Sequence, residues 1–213
     1  GLSPMPFSSR FLKQPLALLL TLALIILVAF LAPVEKTIGS NIRLIYVHAA
    51  WVWTGKLAFG LSAIAGLLAL ILFRQERLVH LSRSIAYSAL FFWVTYLPMS
   101  LIVMQVNWGG FFFDEPRWRV PFLLGIIAVL LQGALWAFNN NRLTALGNLA
   151  FGVALWWQLG GVENILHPDN PIGMSDSTAI MGSYTLILIL TIFLGAQLIL
   201  WIYEQRHPIL KGA

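Results

Sequence analysis

The sequence predicts an all-α integral membrane protein of six transmembrane helices with both termini on the cytoplasmic side. Three observations carry that expectation. Hydrophobic residues make up 59% of the 213 and charged residues only 10%, whereas a soluble domain carries about 25% charge. The apolar residues come in runs long enough to cross a hydrocarbon core, which takes about 20 residues. The runs do not alternate strictly. Of the two structures that satisfy every backbone group in lipid, this selects helices over a closed barrel.

The runs cover about 15–33, 44–73, 84–106, 120–138, 143–160 and 178–203. No long polar linker divides them, so 1–213 reads as a single membrane domain. The first run follows Arg10 and Lys13 as a signal peptide would. It is long for a signal core and no small-x-small cleavage site follows, so it is read as a retained helix. Pro33 ends it, and Ser40 and Asn41 are candidate caps for the second. Pro98 is expected to kink the third. Pro121 is expected near the first turn of the fourth, where a missing N–H costs little. Asn139-Asn140-Asn141 makes a tight turn into the fifth. Gly55, Gly60 and Gly66 allow close helix approach in the second, and Gln105, Gln132, Gln158 and Gln197 read as interhelical hydrogen-bond partners.

Orientation follows the basic residues. With both termini inside, eight lie on the inner side (Arg10, Lys13, Arg74, Arg77, Arg83, Arg142, Arg206, Lys211) and four outside (Lys36, Arg43, Arg117, Arg119). This distribution explains the net charge of +5 without nucleic acid, since the basic residues are scattered between apolar runs. Cysteine is absent, which excludes disulfides, thiolate metal sites and thiol chemistry. The long connections, about 107–119 and about 161–177, are both outside and concentrate aromatic and polar residues.

Four histidines are available. His80 and His207 stand beside arginines on the inner side and read as solvated interface residues. His48 opens the second helix and His167 sits in the last outer loop. Between them in the chain lies Trp108-Gly109-Gly110-Phe111-Phe112-Phe113-Asp114-Glu115-Pro116-Arg117-Trp118-Arg119. A haem needs neutral imidazole for its iron, flat aromatic walls and cations for its propionates, for which arginine's planar fork is best suited. One side of the membrane supplies all three. Each element also has a plainer reading: an interfacial histidine is ordinarily just polar, and an aromatic loop is ordinarily an interfacial belt.

On these residues the chain resembles the cytochrome c maturation protein family CcmC, haem handlers of the cytochrome c assembly superfamily, from about residue 40 to about 203. The family opens its second helix with an Arg-Ile-Ile-Tyr-Leu-His-type motif, matched by Arg43-Leu44-Ile45-Tyr46-Val47-His48. Its hinge resembles Ala134-Leu135-Trp136-Ala137-Phe138-Asn139-Asn140-Asn141-Arg142-Leu143. Its last outer loop resembles Val162-Glu163-Asn164-Ile165-Leu166-His167. The resemblance implies six helices and a non-covalent haem b with His48 and His167 as axial ligands. Around it would stand Trp108, Gly109, Phe111, Phe112, Phe113, Glu115, Arg117 and Arg119. It further implies haem handling rather than catalysis, on the periplasmic side of a bacterial or organellar inner membrane. The implied partners are a CcmE-type haem chaperone, ABC transporter subunits and a small single-helix membrane protein.

The chain departs from the family at its tryptophan-rich stretch, Trp-Gly-x-Trp-Trp-x-Trp-Asp-x-Arg. Trp108, Gly109 and Arg117 keep the register, Phe111 and Phe112 replace paired tryptophans, Asp114 replaces the third, and Glu115 stands where the acid is expected. With one gap, Phe113 and Asp114 would fall on the Trp-Asp pair instead. Phenylalanine keeps the flat wall and loses the indole donor. The family's Val-Pro insertion after His48 is also missing.

Two further readings stay open: a cofactor-free structural subunit of a membrane complex derived from the same family, and a haem-containing electron-transfer subunit. Against the latter, no histidine lies near the middle of a helix. A retinal protein is excluded by the lack of a lysine in the last run, and a hydrolase by the lack of a Ser/His/Asp or metal motif. Lys56 stands within an apolar run, where a charge is a functional candidate. The 17 residues 57–73 span about 25 Å at 1.5 Å per residue, so Lys56 either snorkels to the outer interface or meets a propionate or internal acid. Trp156 and Trp157 read as belt residues or as a cofactor wall.

Overall fold

The computed structural model describes residues 15–72, 76–163, 165–166, 172 and 175–205. Among them six helices form: α1 Pro15–Leu31, α2 Ile42–Ile71, α3 Glu76–Trp108, α4 Pro116–Phe138, α5 Asn141–Gly160 and α6 Thr178–Gln205. No strand is present among the described residues, only an isolated bridge between Glu35 and Gly39 in the turn before α2. Four helices, α2, α3, α4 and α6, are long and apolar enough to cross a membrane. The 17 residues of α1 are a shorter apolar helix. In α5, Asn141, Arg142, Asn148 and Gln158 dilute the apolar run.

Helices α2 and α3 pack along each other most extensively, and α2 also lies against α5, α6 and α1. Helix α3 touches α6, α4 and α5, which leaves α4 on the flank of α3 and α5. Phe59, Phe92, Trp93, Tyr46, Ile25, Leu155 and Ile187 are essentially inaccessible at the centre. Large apolar side chains face outward on every helix, as at Leu19, Leu61, Ile102, Leu130, Val153 and Ile189. Lipid, not water, is the solvent that makes such an exterior favourable.

Without a hydrophobic drive between helices in lipid, small residues and polar bonds hold the bundle. A Cβ built on Gly152 would stand 2.8 Å from the Phe59 carbonyl oxygen, and one on Gly66 2.7 Å from that of Ala145. Helices α2 and α5 therefore cross almost backbone to backbone. Beside this crossing the Ser62 hydroxyl donates to the Ser82 carbonyl and Ser82 donates back to that of Ser62, both at 2.8 Å. Asn148 Nδ2 donates to Ser82 Oγ, and Gln132 Nε2 to Asn148 Oδ1, each at 2.9 Å. One polar ladder thus joins α2, α3, α5 and α4.

The turn at Asn139–Asn141 forms as expected. Asn139 takes a left-handed φ of 44° and Asn140 caps α5 by accepting from the Leu143 amide at 3.0 Å. Other boundaries differ. Helix α3 begins eight residues before the expected 84, because charged residues end an apolar run without ending a helix. Arg83 is consequently no loop residue. It is buried in α3 and donates to Thr144 Oγ1 at 2.9 Å. Pro116, not Pro121, occupies the first turn of α4, and Pro121 lies inside, where its carbonyl accepts the Trp93 indole N–H at 3.0 Å. Asn41 precedes α2 but makes no side-chain cap; its amide donates to the Val106 carbonyl at 3.4 Å and ties the start of α2 to the end of α3. Pro98 lies inside the continuous α3. The expected inner residues Arg10, Lys13, Arg74, Arg206, His207 and Lys211 lie outside the described residues.

Candidate functional site

At 30 and 33 residues, α2 and α3 are about 45 and 50 Å long at 1.5 Å per residue. Both exceed a hydrocarbon core of about 30 Å. The start of α2 and the end of α3 therefore stand together as a platform, and the residues of the first motif build it. Arg43 Nε donates to the Ala32 carbonyl at 3.2 Å, and its guanidinium lies 5.3 Å over the Phe30 ring. The Tyr46 hydroxyl reaches the Pro33 carbonyl at 3.4 Å. Arg43 and Tyr46 thus fasten the α1–α2 turn to α2. In that turn Glu35 accepts from the amides of Ile38 and Thr37, which holds its carboxyl below the usual range.

His48 follows on α2, half-buried, with its ring 5.9 Å from that of Tyr96 on α3. The contact tops an aromatic column. Phe151 meets Phe59 at 4.8 Å, Phe59 meets Trp93 at 5.8 Å, and Trp93 meets Tyr96 at 5.1 Å. The column runs from α5 through α2 and α3, so the imidazole rests on the packed core. Tyr96 is 3% exposed, and its hydroxyl has no hydrogen-bond partner among the described residues.

The aromatic loop leaves α3 at Trp108 and turns at Gly109, whose φ of 73° favours glycine. Phe111, Phe112 and Phe113 are exposed. The rings of Phe111 and Phe113 stack at 6.1 Å, Phe113 meets Trp118 at 5.1 Å, and Trp118 stacks on Phe122 at 4.9 Å and 12°. Trp108 meets Phe112 edge-on at 6.1 Å. The loop is a continuous aromatic surface anchored through Trp118 into α4.

Glu115 closes the loop and is 3% exposed. Its carbonyl accepts from the Trp118 and Arg119 amides at 2.9 and 2.8 Å, which starts α4. Its Oε2 accepts from the Leu166 amide at 3.0 Å, across 51 residues of chain. That bond joins the aromatic loop to the segment preceding the third histidine of the sequence, His167. Oε1 is buried and has no partner among the described residues. Arg117 and Arg119 are exposed in the first turn of α4, and Asp114 beside them is exposed too.

Lys56 lies two turns below His48 on α2. Its ammonium sits 4.9 Å from the Trp53 ring and 4.2 Å from that of Trp156. The Trp156 indole N–H donates to the Lys56 carbonyl at 3.2 Å. Trp156 is four residues from the end of α5. No acid pairs with Lys56 among the described residues, and Trp156 is in contact with the lysine. Trp157 is 81% exposed.

The structure thus brings Trp108, Gly109, Phe111, Phe112, Phe113, Glu115, Arg117 and Arg119 into one loop and helix start, and sets His48 on the platform beside Tyr96. His167 lies outside the described residues, so its expected pairing with His48 is not described. Tyr96, Trp118 and Leu166 join the site without having been singled out from the sequence. Trp118 carried a signal, its place between two arginines. Tyr96 and Leu166 carried none, since each acts through a tertiary contact. Chemically these elements offer an imidazole, flat apolar faces and exposed guanidinium groups. Comparison of the chain with protein-family models and with curated proteins finds no match.

Proposed function

We propose that this chain is a haem-binding protein of cytochrome c biogenesis, which holds haem b at the face of the aromatic loop and passes it to an acceptor. The observation that carries the reading is the Glu115–Leu166 hydrogen bond. A carboxylate inside the aromatic loop holds the residue just before His167, and so ties together the two loops that the haem reading needs on one side. Haem, when bound, would supply an iron that takes neutral imidazole and a charged propionate edge.

In this reading His48 and His167 are the iron ligands and Phe111, Phe112, Phe113 and Trp108 form the wall. Arg117 and Arg119 meet the propionates. Glu115 and Gly109 position the loop. The exposed rings favour a cargo held at an open edge and released, consistent with handling rather than catalysis. All six helices then cross a bacterial or organellar inner membrane with both termini in the cytoplasm and the loop on the periplasmic side. By resemblance to the CcmC family, a CcmE-type haem chaperone, ABC transporter subunits and a small single-helix protein are the partners.

The test is an optical spectrum of the purified protein, oxidised and reduced, with His48→Ala and His167→Ala alongside. A Soret band in the wild type that is lost or shifted in both variants is expected. A wild type that stays colourless when haem is added overturns the proposal and leaves a cofactor-free membrane subunit on this fold.

A further inference from the structure

Below Lys56 the surface between α2 and α5 opens into an apolar groove of about 260 Å³. Its floor is made by residues with little or no side chain, Gly60, Ala63 and Gly152, and its walls by Ile64, Leu67 and Val153. The floor cannot be filled from within. A Cβ on Gly60 would meet Trp156 Nε1 at 2.8 Å, and one on Gly152 would meet Ala63 Cβ at 2.5 Å. Trp156 closes the groove at the end nearer the loop, and the same ring lies under the Lys56 ammonium at 4.2 Å. Side chains on a helix lean toward its N-terminus, so on α2 the ammonium is carried toward the headgroup side. A second groove of similar size, on α3 and α4, is lined only by apolar side chains and glycine.

The two tryptophan faces attract the ammonium but accept none of its three N–H bonds in the way an oxygen does. No carboxylate among the described residues supplies that oxygen. A ligand completing the site therefore needs an anionic oxygen at its head and one or two hydrocarbon chains below. We infer that the α2–α5 groove is a binding site for an anionic phospholipid of the loop-side leaflet, with the phosphate at Lys56 between Trp53 and Trp156 and an acyl chain over Gly60, Ala63 and Gly152. The site is separate from the haem proposal and stands without it.

Native mass spectrometry of the haem-free protein in detergent, titrated with phosphatidylglycerol or with phosphatidylcholine of the same chains, tests this. Wild type is expected to retain one phosphatidylglycerol about fivefold more tightly, the factor that one cation near a lipid surface contributes. Lys56→Gln should abolish the preference and Lys56→Arg should keep it. Val153→Trp, at a position 59% exposed and so outside the core packing, should fill the groove and weaken retention of both lipids. An undiminished preference in Lys56→Gln overturns the inference. So does displacement by glycerol phosphate, which would show a free-anion site with no role for the groove. Displacement one for one by added haem also overturns it, since the anion at Lys56 would then be a propionate.

Discussion

The Glu115 carboxylate and the Leu166 amide form a hydrogen bond of 3.0 Å between two connections 51 residues apart in the chain. Glu115 is 3% exposed and stands at the N-terminus of α4. Glu115 therefore does two tasks, starting a helix with its backbone and holding a distant loop with its side chain. Replacing it with Ala should leave helix α4 intact and free the Leu166 amide. Hydrogen exchange at that amide should then quicken about tenfold or more, with a stability loss of about 1–3 kcal/mol for a broken buried bond. Glu115→Gln retains a carbonyl acceptor and should keep most of the protection. Unchanged exchange in Glu115→Ala would refute the latch.

The ladder Gln132–Asn148–Ser82–Ser62 predicts strong coupling. Asn148→Leu removes two bonds and strands Gln132 Nε2 in a buried place, at a cost of about 1–3 kcal/mol. Adding Gln132→Leu should cost less than its single-variant loss, because the stranded group is removed as well. A double-variant cycle in unfolding measurements reads this directly, and simple additivity would count against the ladder.

Close packing of α2 on α5 makes Gly152 intolerant of any side chain. In Gly152→Ala the new methyl meets Ala63 Cβ at 2.5 Å and the Phe59 carbonyl oxygen at 2.8 Å. Forcing the helices apart should cost about 1–3 kcal/mol. Gly133, with open space where its Cβ would go, should gain about 0.5–1 kcal/mol as Ala from helix propensity alone. Thermal unfolding of both variants checks the contrast.

A pH dependence is expected in the turn before α2. The amides of Ile38 and Thr37 lower the Glu35 carboxyl from its ordinary value. A carboxyl lowered on folding stabilises the turn above its unfolded pKa, and the contribution is lost as pH falls through the folded value. Exchange protection of the Thr37 and Ile38 amides should follow that course, and Glu35→Gln should flatten it.

Much of the architecture is legible from residue types. Pro33, the Asn139–Asn141 turn and the apolar runs place all six helices, because lipid leaves the backbone few alternatives. The start of α3 is not legible in hydropathy, which reports where a helix meets lipid, because α3 extends for two turns of mixed polarity around Arg77 and Arg83. Likewise Pro116 and Pro121 are equivalent as sequence signals, and only the position of the Trp93 indole, which takes the Pro121 carbonyl, separates their roles.

By itself, the sequence determined the helical class, the helix count and the gathering of aromatic and basic residues at one loop, since these follow from transfer of side chains between water and lipid and are local. Tertiary structure decided which groups meet. It set His48 on Tyr96, locked Leu166 to Glu115, placed Lys56 between Trp53 and Trp156, and buried Arg83 against Thr144. Those contacts depend on how closely α2, α3 and α5 approach, and that distance is set by glycine and serine faces pairing across helices. Composition records such residues without recording their partners.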